Sequence, residues 1–304
     1  HTFALSGIYS GRFWDIFDFL FKGSDIGIDI FFITSGFLII RSRLTSPNVI
    51  IYLKNRFLRI APAFTVSVLF CILIIGPLAS NLSISDYLHN FLSSRHLPAA
   101  FQTNHIPNML NGSLWTLKVE FIAYLLIAVL CFMDVSRIGP AIIILLVLLL
   151  SVDLVYFERP DVAQVKVWSI NLNQSTGCLI YFLAGSLFYL YRETVPMDKY
   201  FFMATLLLVF ILQRTAYWHS AGYPFLTYSV LYFAYSKIPL NNFGRYGDFS
   251  YGMYIFAFPV QQTILYYWPN RLTNSSFFAI AFSMTLVIAL LSWHLIEKPS
   301  LKMK

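Results

Sequence analysis

A glutamate, Glu120, stands inside SLWTLKVEFIAYLLIAVL, residues 113–130, a run long enough to cross a bilayer. An acidic residue at a helix centre in lipid costs about 3 kcal/mol on insertion scales, so such a residue marks a polar path, a proton relay or a reacting group. Ser113, Thr116, Glu120 and Tyr124 recur at spacings of three and four, which draws one polar stripe along an otherwise apolar helix. Lys118 falls nearly opposite and is expected to snorkel outward, so it does not pair with Glu120 within the helix. The carboxylate needs a partner from another segment.

His1, in HTFALSG, is one candidate. If that stretch is the outer half of a helix ending near Gly7, His1 and Glu120 both sit about 10 Å below the same membrane boundary. An imidazole and a carboxylate at one depth can perform general acid–base work; a purely structural polar contact between helices is the alternative. In GSDIGIDIFFITSGFLII, residues 23–40, Asp25 and Asp29 stand four apart. Asp29 is the deeper and the better second candidate, and the small residues Ser35 and Gly36 permit close helix contact. In KNRFLRIAP, residues 54–62, Arg56 and Arg59 share a helical face. Guanidinium forks bind phosphate oxygens bidentately, so this pair could clamp a phosphorylated ligand; a positive membrane anchor is the alternative. The stretch SPNVIIYLKNRFLR predicts a helix lying at the interface, ahead of a crossing that starts near Pro62.

The elements that must position these groups are membrane helices. The chain has 304 residues, 58% of them hydrophobic and 12% charged, with a mean hydropathy of +0.68. A soluble domain of this size carries about a quarter charged residues. Apolar runs fall at roughly 1–8, 26–40, 61–79, 113–133, 138–157, 174–191, 200–213, 222–236, 250–267 and 276–296. The fold class is therefore all-α, a polytopic transmembrane bundle of about ten helices. The first helix is expected to be truncated at its N-terminus, since the sequence opens at His1 without a methionine or a charged leader. One transmembrane domain is expected to span 1–304, with no internal repeat.

Lys and Arg set the orientation. Thirteen of them, from Arg41 to Lys304, fall in loops on one side and eight on the other, which places the first set and the C-terminus in the cytoplasm. The net charge of +7 is spread over loops rather than concentrated, which argues against nucleic acid as a partner. Cys71, Cys131 and Cys178 sit within apolar runs and read as packing residues. His89, His96, His105, His219 and His294 fit no metal spacing and read as non-catalytic, so no metal site is expected.

The ordered set GIDIFFITSGFLI, RFLRIAP, SLWTLKVEF, SYGMYIFAFPVQQ and the terminal EKP resembles the acyltransferase 3 family of integral membrane acyltransferases, from His1 to about Pro299. The resemblance implies transfer of an acyl group, commonly acetyl, from cytoplasmic acyl-CoA to hydroxyls of cell-surface or lipid-linked glycans. A bacterial inner-membrane location goes with it. It puts His1 on the family's essential histidine, Arg56 and Arg59 on its RxxR motif, and Ser113, Trp115 and Glu120 on its SLW…E motif. The family's arginine upstream of the histidine would precede residue 1. Where many members have YLxH, this chain has Tyr254-Ile255-Phe256-Ala257.

On this footing, His1, Glu120 and Asp29 are the expected catalytic groups, and Arg56 and Arg59 the acetyl-CoA-binding ones. Ser113, Trp115 and Tyr124 are expected to contact substrate. His1 would act as general base with Glu120 or Asp29 orienting it, or would carry the acyl group itself; both routes fit the residues. A multi-pass transporter or flippase of lipid-linked sugars is the rival class, disfavoured by the lack of repeat symmetry. A third possibility is an inactive relative serving as a membrane scaffold.

Overall fold

In the computed structural model the described residues are 26–46, 48–80, 82–83, 85–86, 100–159, 165–167, 170–212, 215, 221–236, 247–269 and 272–303. We number the long helices α1 (Ile26–Thr45), α2 (Val49–Phe70), α3 (Trp115–Leu130), α4 (Val135–Glu158), α5 (Leu172–Leu190), α6 (Lys199–Leu212), α7 (Tyr223–Tyr235), α8 (Ser250–Tyr267) and α9 (Asn274–Ser292). Among the described residues, extended pairing is confined to a short antiparallel ladder, Lys166–Val167 against Ile170–Asn171, and an isolated bridge between Ser80 and Ala100. From residue 26 onward each apolar run falls on one of these helices, α2 beginning twelve residues ahead of its run, while the run at 1–8 lies outside the described residues.

Four spans among the described residues are long and apolar enough to cross a membrane: Val49–Ala79, Gly112–Leu130, Val135–Glu158 and Ser275–Leu301. Their outward faces are oily. On α4, Ile143, Ile144, Val147 and Leu148 are all exposed, a surface suited to lipid rather than water. The protein is thus a multi-pass membrane protein.

The expected break before Pro62 does not occur. Pro62 lies inside α2, and the helix runs on through a π turn at Cys71–Ile75 to Ala79. At 1.5 Å per residue its 31 residues span about 46 Å, longer than a hydrocarbon core of about 30 Å. One continuous rod therefore both crosses and projects, and Arg56 and Arg59 ride on its N-terminal part.

The chain divides into two compact units, one built on Lys54–Leu114 with Leu240–Lys304, the other on Ile16–Leu53 with Trp115–Pro239. In the first, Val260 and Ile264 of α8 pack on Phe277 and Ala281 of α9. Cys71 joins Ile75, Ala79, Ala100, Phe101 and Leu110 in a second core, the packing role expected of it. Gln262 of α8 fastens the segment ahead of α3. Its amide donates to the carbonyls of Ile106 (2.8 Å) and Met109 (3.1 Å), and its own oxygens accept from Asn104 Nδ2.

In the second unit α1 and α5 cross at closest approach. A Cβ on Gly36 would strike the carbonyl of Phe182, and one on Gly185 the carbonyl of Ile33. Ser186 Oγ completes the contact by donating to the carbonyl of Gly36 at 3.0 Å. Small residues at the crossing let the backbones touch, as the SGF stretch predicts. This crossing fixes what lies further along each helix. Asp29 is seven residues before Gly36 on one face of α1, while Gln174, Cys178 and Tyr181 precede Gly185 at spacings of four, three and four on α5.

Candidate active site

The faces above the α1–α5 crossing enclose a cavity of about 280 Å³, lined by Asp29, Trp115, Asp153, Asn173, Gln174, Gly177, Cys178, Tyr181 and Tyr223 among others. These residues come from the N-terminal parts of α1, α3, α5 and α7 and the C-terminal part of α4, so they gather at one end of this unit.

Two of the sequence-expected groups, Asp29 and Trp115, line this cavity. Asp153 lines it as well and is 2% exposed; Tyr223 donates to its Oδ2 at 2.8 Å. Tyr181 is 3% exposed, its ring centroid 4.8 Å from that of Tyr223, and its hydroxyl has no hydrogen-bond partner among the described residues. Gly177 gives room beside this pair: a Cβ there would lie 3.6 Å from the Tyr223 hydroxyl.

Asp153 follows the same rule that singles out Glu120, a carboxylate deep in an apolar run, and the sequence reading passed it over. Tyr181 was legible from its shared face with Gln174, Cys178 and Gly185. Tyr223 carries no such signal, because a tyrosine at a helix start is ordinary in an interfacial belt.

Glu120 is buried on α3 and accepts a hydrogen bond from Tyr124 one turn below it, so the polar stripe holds together within the helix. Tyr124 is tied further through its carbonyl, which accepts from Tyr52 at 3.2 Å. Ser113 lies in a 3₁₀ turn, Gly112–Leu114, and is buried. The turn is capped by Asn111, whose Oδ1 accepts from the Ser113 amide at 3.1 Å, while Tyr254 donates to the Ser113 carbonyl at 2.9 Å. Lys118 is exposed, as expected of an outward-pointing lysine.

The arginine pair occupies the first unit. Arg59 forms an ion pair with Asp248 and lies over the indole of Trp293, 5.9 Å from its centroid. Ser250 holds the other oxygen of Asp248 at 2.6 Å. Gly247 has φ of +128°, and a side chain there would collide with the Trp293 ring, so this glycine shapes the floor under Arg59. Glu297 of the EKP stretch is buried nearby in sequence to that tryptophan and accepts from Ser292 at 3.0 Å. Arg56 is half-buried. His1 and Asp25 lie outside the described residues.

The sequence profile described as "Acyltransferase domain" matches residues 1–294. The chain belongs to the acyltransferase 3 family. An O-acetyl transferase of Shigella phage Sf6 is 29% identical over 319 residues, covering 98% of this chain and 90% of that protein. Nodulation protein 10 of Rhizobium leguminosarum bv. viciae is 25% identical over 333 residues, covering 95% of this chain and 85% of the relative. No solved structure matches the chain. This chain is therefore an acyltransferase enzyme, and its long apolar spans make it a membrane one.

Proposed function

We propose that this acyltransferase takes an acyl group, normally acetyl, from acyl-CoA at the cytoplasmic face of the bacterial inner membrane. It passes the group to a hydroxyl of a cell-surface or lipid-linked glycan. The observation that carries this reading is the alignment of nearly the whole chain with an O-acetyl transferase. One catalytic domain is proposed to span 1–304, with the C-terminus cytoplasmic.

Arg56 and Arg59 would meet the coenzyme's phosphates. Their charge suits that task, whereas the 280 Å³ cavity, with two carboxylates and no basic residue among its described lining, suits neither the size nor the charge of a nucleotide. The thioester would reach the reacting groups on its extended pantetheine arm. In direct transfer, His1 takes the proton of the acceptor hydroxyl as its oxygen attacks the thioester carbonyl. The carbon–sulfur bond then breaks, and the CoA thiolate leaves and gains a proton from the imidazolium. Glu120 or Asp29 would orient the ring and stabilise its charged form. A relay through acyl-His1 uses the same groups in two steps.

The test is a comparison of surface glycan by mass spectrometry in cells carrying the full-length protein, lacking it, or carrying His1→Ala. Loss of one acetyl mass per modified residue in both altered strains is expected. Unchanged acetylation in the His1→Ala strain removes the histidine's role. Loss of the glycan itself from the surface without the protein, with acetylated glycan retained inside the cell, supports the transporter class instead.

A further inference from the structure

The cavity between α1, α3, α4, α5 and α7 has a character of its own. At about 280 Å³ it lies just below the range of about 300–1,000 Å³ usual for small-molecule pockets, so it fits one ring rather than a coenzyme. Its wall combines the carboxylates of Asp29 and Asp153, the amide of Gln174, the phenols of Tyr181 and Tyr223, and the indole of Trp115. Hydrogen-bond acceptors and donors thus converge from four helices, and an aromatic face comes from the fifth. That is the pattern a polyol ring asks for: hydroxyls to be bonded around its edge, and an axial C–H face that packs on an aromatic surface.

The Tyr181 hydroxyl is the second, independent observation. A buried phenol without a partner costs free energy in the ligand-free state and is normally bonded. A ligand hydroxyl in the cavity would supply that bond. The neighbouring Tyr223 hydroxyl is oriented by its donation to Asp153 and keeps a lone pair for a ligand O–H. Among the described lining residues there are two carboxylates and no lysine, arginine or histidine, a wall that disfavours an anionic sugar.

We propose that this cavity is the acceptor-sugar subsite, binding a single uncharged pyranose ring of the glycan and excluding uronic acids. Tyr181, Tyr223 and Asp153 are its hydroxyl-binding groups, and Trp115 its stacking surface. The proposal rests on the reading of the chain as an acyltransferase of glycan hydroxyls, and it adds which part of the glycan is held and where.

The experiment uses the full-length protein in lipid nanodiscs and measures binding apart from turnover. Equilibrium binding of 4-nitrophenyl glucoside, galactoside, rhamnoside and glucuronide is compared in wild type, Tyr181→Phe, Gly177→Ala and Gly177→Val, with acetyl-CoA binding and acetyl transfer followed in parallel. At least one neutral glycoside is expected to bind, at least tenfold more tightly than the glucuronide. Tyr181→Phe should weaken it at least tenfold, and the Gly177 series should weaken it in order of added volume, while acetyl-CoA binding stays within twofold. The subsite is overturned if no neutral glycoside binds, if the glucuronide binds as well, or if both sets of variants leave sugar binding unchanged. Sugar binding with the expected dependence but no acetyl transfer keeps the subsite and overturns the acyltransferase reading.

Discussion

The Tyr223 hydroxyl of α7 donates a 2.8 Å hydrogen bond to Asp153 of α4, buried among apolar helices. A carboxylate in such surroundings is tolerated when polar groups meet it. The bond also joins two helices that both flank α5, so one contact serves stability and shapes the cavity wall. Removing the hydroxyl in Tyr223→Phe should cost about 2 kcal/mol in thermal unfolding measured in detergent. In Asp153→Asn the same phenylalanine change should cost less, which a double-mutant cycle reads directly.

At the crossing of α1 and α5, Gly36→Ala and Gly185→Ala each set a methyl against a backbone carbonyl. Neither carbonyl can move without shifting its helix, so each change should destabilise by about 1–3 kcal/mol. The expected readout is a lowered unfolding temperature for both, with Gly177→Ala as a control that keeps its stability.

Tyr124 donates to Glu120. If its role is to hold that carboxylate in place, Tyr124→Phe should lower kcat about tenfold, equivalent to about 1.4 kcal/mol, and leave the KM for acceptor unchanged. A raised acceptor KM at unchanged kcat would make Tyr124 a substrate contact instead.

Arg59 already has a carboxylate partner in Asp248, so phosphate binding there must compete with an ion pair. Asp248→Asn frees the guanidinium and should lower the KM for acyl-CoA, an effect that shrinks at high salt. Arg59→Ala should raise that KM. Equal KM values in all three proteins would leave the arginine as part of a structural cluster with Trp293.

Gln262 holds the segment before α3 by two donated bonds, worth about 1 kcal/mol each. Gln262→Leu should make residues 100–111 the first site of cleavage in limited proteolysis, with α8 and α9 remaining intact.

Much of this arrangement could be read from residue types alone. For the described helices other than α2, hydropathy gave the positions to within about five residues, because in lipid the backbone must satisfy itself and a long apolar run has little other choice. The small residues at Ser35 and Gly36 announced a close crossing, and the structure supplies the partner, Gly185 and Ser186. Periodicity placed Thr116, Glu120 and Tyr124 on one stripe, and the Tyr124–Glu120 bond lies along it. What could not be read was which helices adjoin. Asp29 and Asp153 are 124 residues apart, and nothing local in either segment says that they line one cavity. The Arg59–Asp248 pair is hidden for the same reason. Pro62 misled in a different way. Proline removes one amide bond from a helix but does not forbid its continuation in a membrane span, and α2 runs straight through it.

The most direct measurement incubates the purified full-length protein with acetyl-CoA labelled in its acetyl carbon and with isolated surface glycan. It follows free thiol and glycan-bound label together. Thiol release matched mole for mole by labelled ester on glycan, and abolished by His1→Ala, is the predicted result. Glycan left unlabelled while thiol accumulates at the same rate with or without it would contradict the account.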